Sequence, residues 1–467
     1  MPASRSPWMP LRALLVAFAI ALLAAACATV SVSPTGTRSR EALSPAVAEA
    51  AALAHQHASL AGQARADNAA RIEQLLAGLD DAELARNAAA LPPGEPLYDF
   101  VGRALLRRGL PLPRPFDRGA WAFDAGNRPP AEADGYRPPV KLAVLLPLSG
   151  DLARAAAPVR DGFLTGYYGE SRRRPEISFY DTAAGAVAAY ERAVAEGNDF
   201  VLGPLGRDEV SAVFRQATLP VPVLALNRGN VPPPAGSASF SLSPEDEGIA
   251  AAEFLLDRNA RRVLVLAGSD DGMRRSVAAF RERFGERGGS VIETLDVRED
   301  VAGLLPRLQA AAQAEGGIDA LFLAVKGPLA RAISPQLAAA GLAGKPRVAT
   351  SQLTSGTGEA SEDALLDGIA YPTETWTARG IPMLPSAESI GARLKSARGP
   401  AARLFAFGYD AWQLAAYLEK LALDPDGELH GATGTLRLDG FGNIQRRPTW
   451  STFSGGRPVP LTGAGDR

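Results

Sequence analysis

The chain of 467 residues carries 49 Lys and Arg against 51 Asp and Glu, a formal net charge of −2, with 46% hydrophobic residues. This balance excludes a disordered chain, a membrane bundle and a nucleic-acid binder working through a basic face, and the length fits two or three domains. The one cysteine, Cys27, excludes internal disulfides and multi-cysteine metal sites, so packing must supply the stability.

In chain order, Arg5 and Arg12 give a short basic start, and an apolar run follows from Leu14 through Phe18 and Leu22 to Ala26. The run is short, close to the start and ends in small residues, the pattern of a secretory signal peptide; a retained membrane anchor is the alternative. Residues 28–42, rich in Ser, Thr and Arg, read as a flexible tether. Helical patterning then covers 43–110. Ser44-Pro45 reads as an N-cap with proline at the first helical position. Ile72, Leu75, Leu76 and Leu79 share a face, and Asp80 with Glu83 forms a capping box. Leu97, Phe100, Val101, Ala104 and Leu105 line a further helix that Gly109 ends. Residues 111–139, with seven prolines including Pro138 and Pro139, predict a stiff extended linker, pinned by Trp121 and Phe123.

From Val140 short β-rich runs alternate with amphipathic helices. Val140–Leu146 reads as a buried strand, and Leu152, Ala156, Val159, Phe163 and Tyr167 recur at helical spacing. Ile177–Tyr180, Phe200–Leu202 and Val221–Leu226 continue the series. It restarts with Val263–Ala267, a helix over Asp271–Arg287, and runs at Ser290–Leu295, Leu321–Val325 and Val348–Thr350. Strands alternating with helices predict α/β lobes with doubly wound parallel sheets, the first starting over about 140–258 and the second over about 259–345, with crossovers in a domain running to 467.

Two resemblances sharpen this reading. Leu22-Leu23-Ala24-Ala25-Ala26-Cys27 resembles the lipobox of bacterial lipoproteins, in which the cysteine is acylated and becomes the mature N-terminus; Ala24 stands where the pattern prefers leucine. Ala28, rather than an aspartate, follows, which by resemblance implies sorting to the outer membrane. The second resemblance rests on an ordered series. Leu145-Leu146-Pro147-Leu148-Ser149-Gly150 and Arg160-Asp161-Gly162-Phe163 lead to Phe179-Tyr180-Asp181-Thr182 and Leu202-Gly203-Pro204-Leu205. Leu224-Ala225-Leu226-Asn227, Leu242-Ser243-Pro244-Glu245-Asp246-Glu247, Phe407-Gly408-Tyr409-Asp410-Ala411 and Gly434-Thr435-Leu436 followed by Arg446 complete it. From about 140 to the end the chain resembles the C-terminal domain of the LpoA family, outer-membrane lipoproteins that activate bifunctional penicillin-binding proteins. The resemblance implies a type I periplasmic-binding-protein-like fold, and the short helical segment implies that the long N-terminal domain of helical hairpins carried by the family is truncated or replaced.

In doubly wound folds ligands bind at the carboxyl ends of strands. Ser149 and Gly150 there would hold an anion with backbone N–H groups, and Gly203 and Asn227 would line the same cleft. Turn chemistry is the competing explanation: glycine for close approach, serine as a cap. Amino-acid receptors of this fold use an aromatic from the second lobe, whereas the matching turn reads Ser269-Asp270-Asp271-Gly272. Glu245-Asp246-Glu247 opens a helix, where the helix dipole accounts for three acids. Arg172-Arg173-Arg174 reads as a solvated loop. His55 and His57 point to different faces of a helix and His430 sits in a loop, so no metal pair is predicted. No G-x-S-x-G, H-E-x-x-H or Walker pattern occurs, and none of the lysines has serine three places earlier.

The expected protein is therefore not an enzyme and has no cofactor, metal or nucleic-acid partner. It would be tethered through Cys27 to the periplasmic face of the outer membrane. The resemblance implies that it binds a class A penicillin-binding protein and raises peptidoglycan cross-linking. The alternative is a lipid-tethered receptor for an amino acid or other small solute.

Overall fold

The computed structural model describes residues 44–60, 62–116, 128–216, 218–298, 301–424 and 427–461. The export segment, Cys27, the tether and the pair Trp121 and Phe123 lie outside the described residues.

Four helices open the described chain: α1 (Pro45–His57), α2 (Gly62–Ala77), α3 (Asp81–Ala90) and α4 (Leu97–Arg107). Their ends are set locally. Ser44 Oγ accepts from the Val47 N–H, and Asp80 and Glu83 close a reciprocal capping box. Gly109, at φ +71°, ends α4, and the Leu110 N–H returns to the Leu105 carbonyl at 2.9 Å. Ile72, Leu76, Leu97, Phe100, Val101 and Leu105 are buried.

The end of the proline-rich stretch, residues 128–139, is fastened to the first lobe. Tyr136 is buried in the first-lobe core, the Arg137 N–H donates to the Ala416 carbonyl at 2.9 Å, and Arg137 pairs with Glu419 at 2.7 Å. Two of the three arginines read as a solvated loop supply much of this fastening. Arg172 bonds Glu170, Asp134 and the Tyr417 hydroxyl and lies 3.7 Å over the Tyr136 ring, while Arg173 donates to the Pro138 and Pro139 carbonyls.

The first lobe runs β1 (Lys141–Leu146), α5 (Ala153–Gly169), β2 (Glu176–Asp181), α6 (Ala186–Ala195), β3 (Phe200–Leu202), α7 (Arg207–Phe214), β4 (Val223–Ala225) and β5 (Ala238–Ser239). Its sheet is parallel in the order β2-β1-β3-β4-β5. Five consecutive residues of β1, Leu142–Leu146, are buried because helices cover both sheet faces.

Helix α8 (Pro244–Leu256) leads into the second lobe: β6 (Arg262–Ala267), α9 (Asp271–Glu286), β7 (Ser290–Asp296), α10 (Leu304–Ala312), β8 (Ala320–Ala324), α11 (Gly327–Ala339), β9 (Arg347–Ala349), α12 (Ala360–Asp363) and β10 (Ile369–Thr373). After α13 (Thr375–Arg379) and α14 (Ala387–Arg393), the long α15 (Ala401–Leu423) returns to the first lobe. A small antiparallel sheet follows, β11 (Leu429–His430), β12 (Thr435–Leu438) and β13 (Ile444–Arg447). Strands β14 (Thr449–Ser454) and β15 (Arg457–Pro460) cross back, making the second sheet β15-β14-β10-β9-β8-β6-β7.

Two doubly wound sheets, the first parallel and the second parallel apart from its antiparallel edge strands β14 and β15, joined by crossovers and preceded by a short helical segment, match the predicted fold class. The lobe limits differ from the expected ones. Helix α8, placed in the first lobe by the 140–258 span, buries Ala251, Phe254 and Leu255 with Val263 and Phe280 of the second. That lobe also extends past residue 345 through β9, β10, β14 and β15, whereas Trp412, Leu436 and Ile444 join the first-lobe core.

Helices α5 and α15 approach so closely that only glycine fits. A Cβ on Gly162 would lie 1.9 Å from the Phe405 carbonyl oxygen, and one on Gly408 would lie 1.9 Å from that of Val159. Two sequence segments far apart in the chain are thus the two sides of one contact.

Candidate functional site at the lobe junction

The four candidate cleft residues all sit at the carboxyl ends of first-lobe strands, where they tie the turns to one another. Ser149 Oγ donates to Asp181 Oδ2 at 2.6 Å, and the Leu148 N–H donates to Oδ1 at 2.9 Å. These donors, Ser149 first, bring the Asp181 carboxyl down to about 2. Gly150 takes φ +73° on the exposed turn before α5. Gly203 takes φ +102°, and a Cβ there would lie 2.1 Å from the Leu145 carbonyl oxygen, so the β3 turn passes against β1. Asn227 Nδ2 donates to the Leu205 carbonyl at 3.0 Å, and its Oδ1 accepts from the Arg228 N–H. The polar atoms of Ser149 and Asn227 therefore have protein partners. On the second lobe Asp270 caps α9, accepting from the Met273 N–H at 3.0 Å.

Charge concentrates instead where the lobes meet. The first turn of α8 presents Glu245, Asp246 and Glu247 from the second lobe, and each meets an arginine from the first. Glu247 pairs with Arg403 of α15; Asp246 pairs at 2.6 Å with Arg228, in the turn after β4; Glu245 lies 3.9 Å from Arg207 of α7 and 3.0 Å from Arg275 of α9. Glu247 is the most enclosed, with a side chain 5% exposed. It also accepts from the Ser351 N–H at 2.9 Å and from Ser351 Oγ at 2.8 Å, while Arg403 bonds Ser351 Oγ and reaches Glu374 at 3.5 Å. Burial pushes the Glu247 carboxyl up, but the Arg403 and Arg446 charges and the Ser351 donors hold it below its ordinary range. A buried acid with a guanidinium and two donors is a satisfied charge, and its geometry depends on both lobes keeping their places.

The helix-dipole reading of the acid triplet is thus incomplete. Sequence spacing gives no signal for Arg403, Ser351 or Glu374, which lie far along the chain and meet Glu247 only in the fold. Asp410, within a segment that carried the resemblance, is fully buried. It accepts from the Thr433 and Ala432 N–H groups and from Thr433 Oγ1, fixing the start of β12 to α15. Burial raises its carboxyl to about 6 against these donors.

The histidines are engaged separately. His55 meets Glu95 at 3.1 Å, His57 bonds Asn68 and stands edge-on to Phe100, and exposed His430 meets Glu428 at 3.2 Å. Among the described residues no group of three His, Cys, Asp or Glu side chains could hold a metal ion.

Known proteins of similar sequence share the two-lobed part. The penicillin-binding protein activator LpoA of Photobacterium profundum is 26% identical over 349 residues, covering 67% of this chain and 56% of that protein. The chain thus spans about half the length of the curated relatives it matches. The LpoA C-domain from Haemophilus influenzae, described as a regulator of PBP1A, superposes with a TM-score of 0.60 at 22% identity over 69% of this chain and all of that one. Full-length LpoA from Haemophilus influenzae superposes with a TM-score of 0.61 at 20% identity, over 89% of this chain and 78% of that one, so the likeness in fold extends beyond the two-lobed domain. The family model described as "LppC putative lipoprotein" matches residues 136–456, the greater part of the sequence, and the chain belongs to this family.

Proposed function

We propose that the protein is a non-enzymatic regulator of peptidoglycan synthesis, anchored through an acylated Cys27 to the periplasmic face of the outer membrane, where it binds a class A penicillin-binding protein and stimulates cross-linking. The observation that carries the proposal is the match of the whole two-lobed domain to proteins named penicillin-binding protein activators. The lobe junction supports it. A solute receptor closes its lobes on a ligand, but here the acids at the junction are met by Arg403, Arg228 and Arg207 of the opposite lobe. Such a molecule offers a preformed surface to a large partner.

Activation then works by differential affinity. The two-lobed surface binds the active conformation of the synthase more tightly than the inactive one and shifts the population toward it. Two acyl chains at Cys27 would keep the protein at the membrane, each buried methylene contributing about 0.8 kcal/mol. The test adds the protein lacking residues 1–27 to purified class A penicillin-binding proteins and follows binding and cross-linked muropeptides. Binding with increased cross-linking is expected; neither effect with any synthase of the organism would end the proposal.

A further inference from the structure

A cavity of about 750 Å³ opens where the helical segment, the second lobe and the small third sheet meet. Its wall has a marked excess of cations. The end of α4 supplies Arg107 and Arg108, the second lobe Arg258 and Arg287, and the third sheet Arg437, Arg446 and Arg447. Four carboxylates line the wall with these seven arginines, and three of them are already engaged: Asp81 with Arg108 at 3.1 Å, Glu253 with Arg283 and Arg287, and Asp246 with Arg228; behind the wall Arg107 also reaches Glu73 at 3.3 Å and Arg437 reaches Glu428 at 2.6 Å. The fourth, Asp257, is exposed at the mouth.

The arginines themselves are undersupplied with acceptors. Among the described residues Arg258, Arg446 and Arg447 make no salt bridge: Arg258 donates to the Phe254 carbonyl, Arg446 donates to the Thr433 carbonyl, and Arg447 is exposed beside Gly109. Arg107 Nε, Arg437 Nη1 and Arg446 Nε are enclosed and find no acceptor among the described residues. Unmet donors on buried guanidiniums are costly, and like charges packed together add to the cost. Burial, followed by the neighbouring Arg403 charge, lowers the proton affinity of Arg446. Cation excess and missing acceptors are one deficit, a wall short of negative oxygens. Guanidinium groups answer that deficit best with carboxylate or phosphate, whose paired oxygens match their forked donors.

We propose that this cavity is a binding site for a small molecule bearing two or more oxyanion groups, held by Arg446 and Arg447 of β13 with Arg437 of β12 and Arg107 of α4. Apolar wall from Leu106, Ile249, Phe254 and Trp450 receives the body of the ligand. The site lies at the hinge. Arg447 and Pro448 form the crossover from β13 to β14, and Asp246 belongs both to this wall and to the ion pairs joining the lobes. Occupancy therefore clamps the helical segment to both lobes.

Isothermal titration of the full chain in mild detergent, with citrate as the carboxylate probe and inorganic pyrophosphate as the phosphate probe, tests the site. Saturable binding of at least one probe is expected, and the tighter one identifies the oxyanion chemistry. Arg447→Glu, on an exposed residue, and Arg446→Gln should each weaken it about tenfold or more, the loss of one charge-assisted contact. Arg298→Glu, exposed and outside the cavity, should leave it unchanged. Absence of saturable binding with both probes, or equal weakening by Arg298→Glu and Arg447→Glu, would overturn the proposal.

Discussion

Replacing Arg403 by Met should unfasten the lobes, and the structure sets the scale. Arg403 is 18% exposed and Glu247 only 5%, so solvent screens the pair little. At an effective dielectric constant of about 20, two unit charges separated by the 3.5 Å between Arg403 and Glu374 attract by roughly 4–5 kcal/mol, most of which offsets desolvation. The larger effect is what remains afterwards. Glu247 would stay enclosed with only the two Ser351 donors, and breaking a buried pair from one side costs about 3–5 kcal/mol. Urea denaturation followed by the fluorescence of buried Trp376 and Trp412 measures the loss. In Arg403→Met/Glu247→Gln the Glu247 charge is gone and only Glu374 loses a partner, so the double variant should recover part of the loss, giving a coupling energy of about 2–3 kcal/mol. A loss below about 1 kcal/mol in Arg403→Met, or additive losses in the double variant, would refute this account of the junction. The sign with pH follows. The folded state holds the Glu247 carboxyl below its ordinary value, so its contribution is present above the unfolded pKa and is lost as pH falls through the folded one.

Three further outcomes are expected. Gly408→Ala places a Cβ 1.9 Å from the Val159 carbonyl oxygen and must separate α5 from α15; a loss of about 2 kcal/mol or more is expected, and unchanged thermal unfolding would contradict the close approach. Asp410, raised to about 6, binds a proton in the folded state at pH values where the unfolded chain has released it. Its contribution to stability therefore falls as pH rises from about 4 to 6, by up to about 3 kcal/mol relative to Asp410→Asn; a pH-independent difference between the two proteins would contradict the burial of the charge. Glu73 behaves oppositely: burial raises it, but Arg103 and Arg107 bring it down to about 2, so the stability lost in Glu73→Gln should itself vanish as pH falls from about 4.5 to 2.

What sequence revealed depended on the range of the interaction. Ser44, Asp80 with Glu83, and Gly109 act within one helical turn, and each stands where its cap was expected. Strands β1, β6 and β8 were legible because a parallel strand covered on both faces reads as an unbroken apolar run. Helix α15 was not. Leu414, Ala415, Ala416, Tyr417 and Leu418 are buried in succession, so it shows no polar stripe, and only a resemblance marked its Phe407–Ala411 segment. The lobe limits failed because α8, although next to β5 in sequence, buries its apolar face with β6 and α9. Likewise Glu247 carries a local signal, a carboxylate at a helix start, that hides a distant partner in Arg403. The Arg172 run looked like an exposed loop because its acceptors, Asp134 and Tyr417, lie in the linker and in α15.

Activation of a peptidoglycan synthase by this two-lobed body requires direct binding. The direct measurement titrates the protein lacking residues 1–27 against a purified class A penicillin-binding protein of the same organism, following affinity and cross-linked muropeptides in one series. Saturable binding and a rise in cross-linking that tracks occupancy are expected. Binding without a change in cross-linking, or no binding to any class A synthase, would contradict this mechanism.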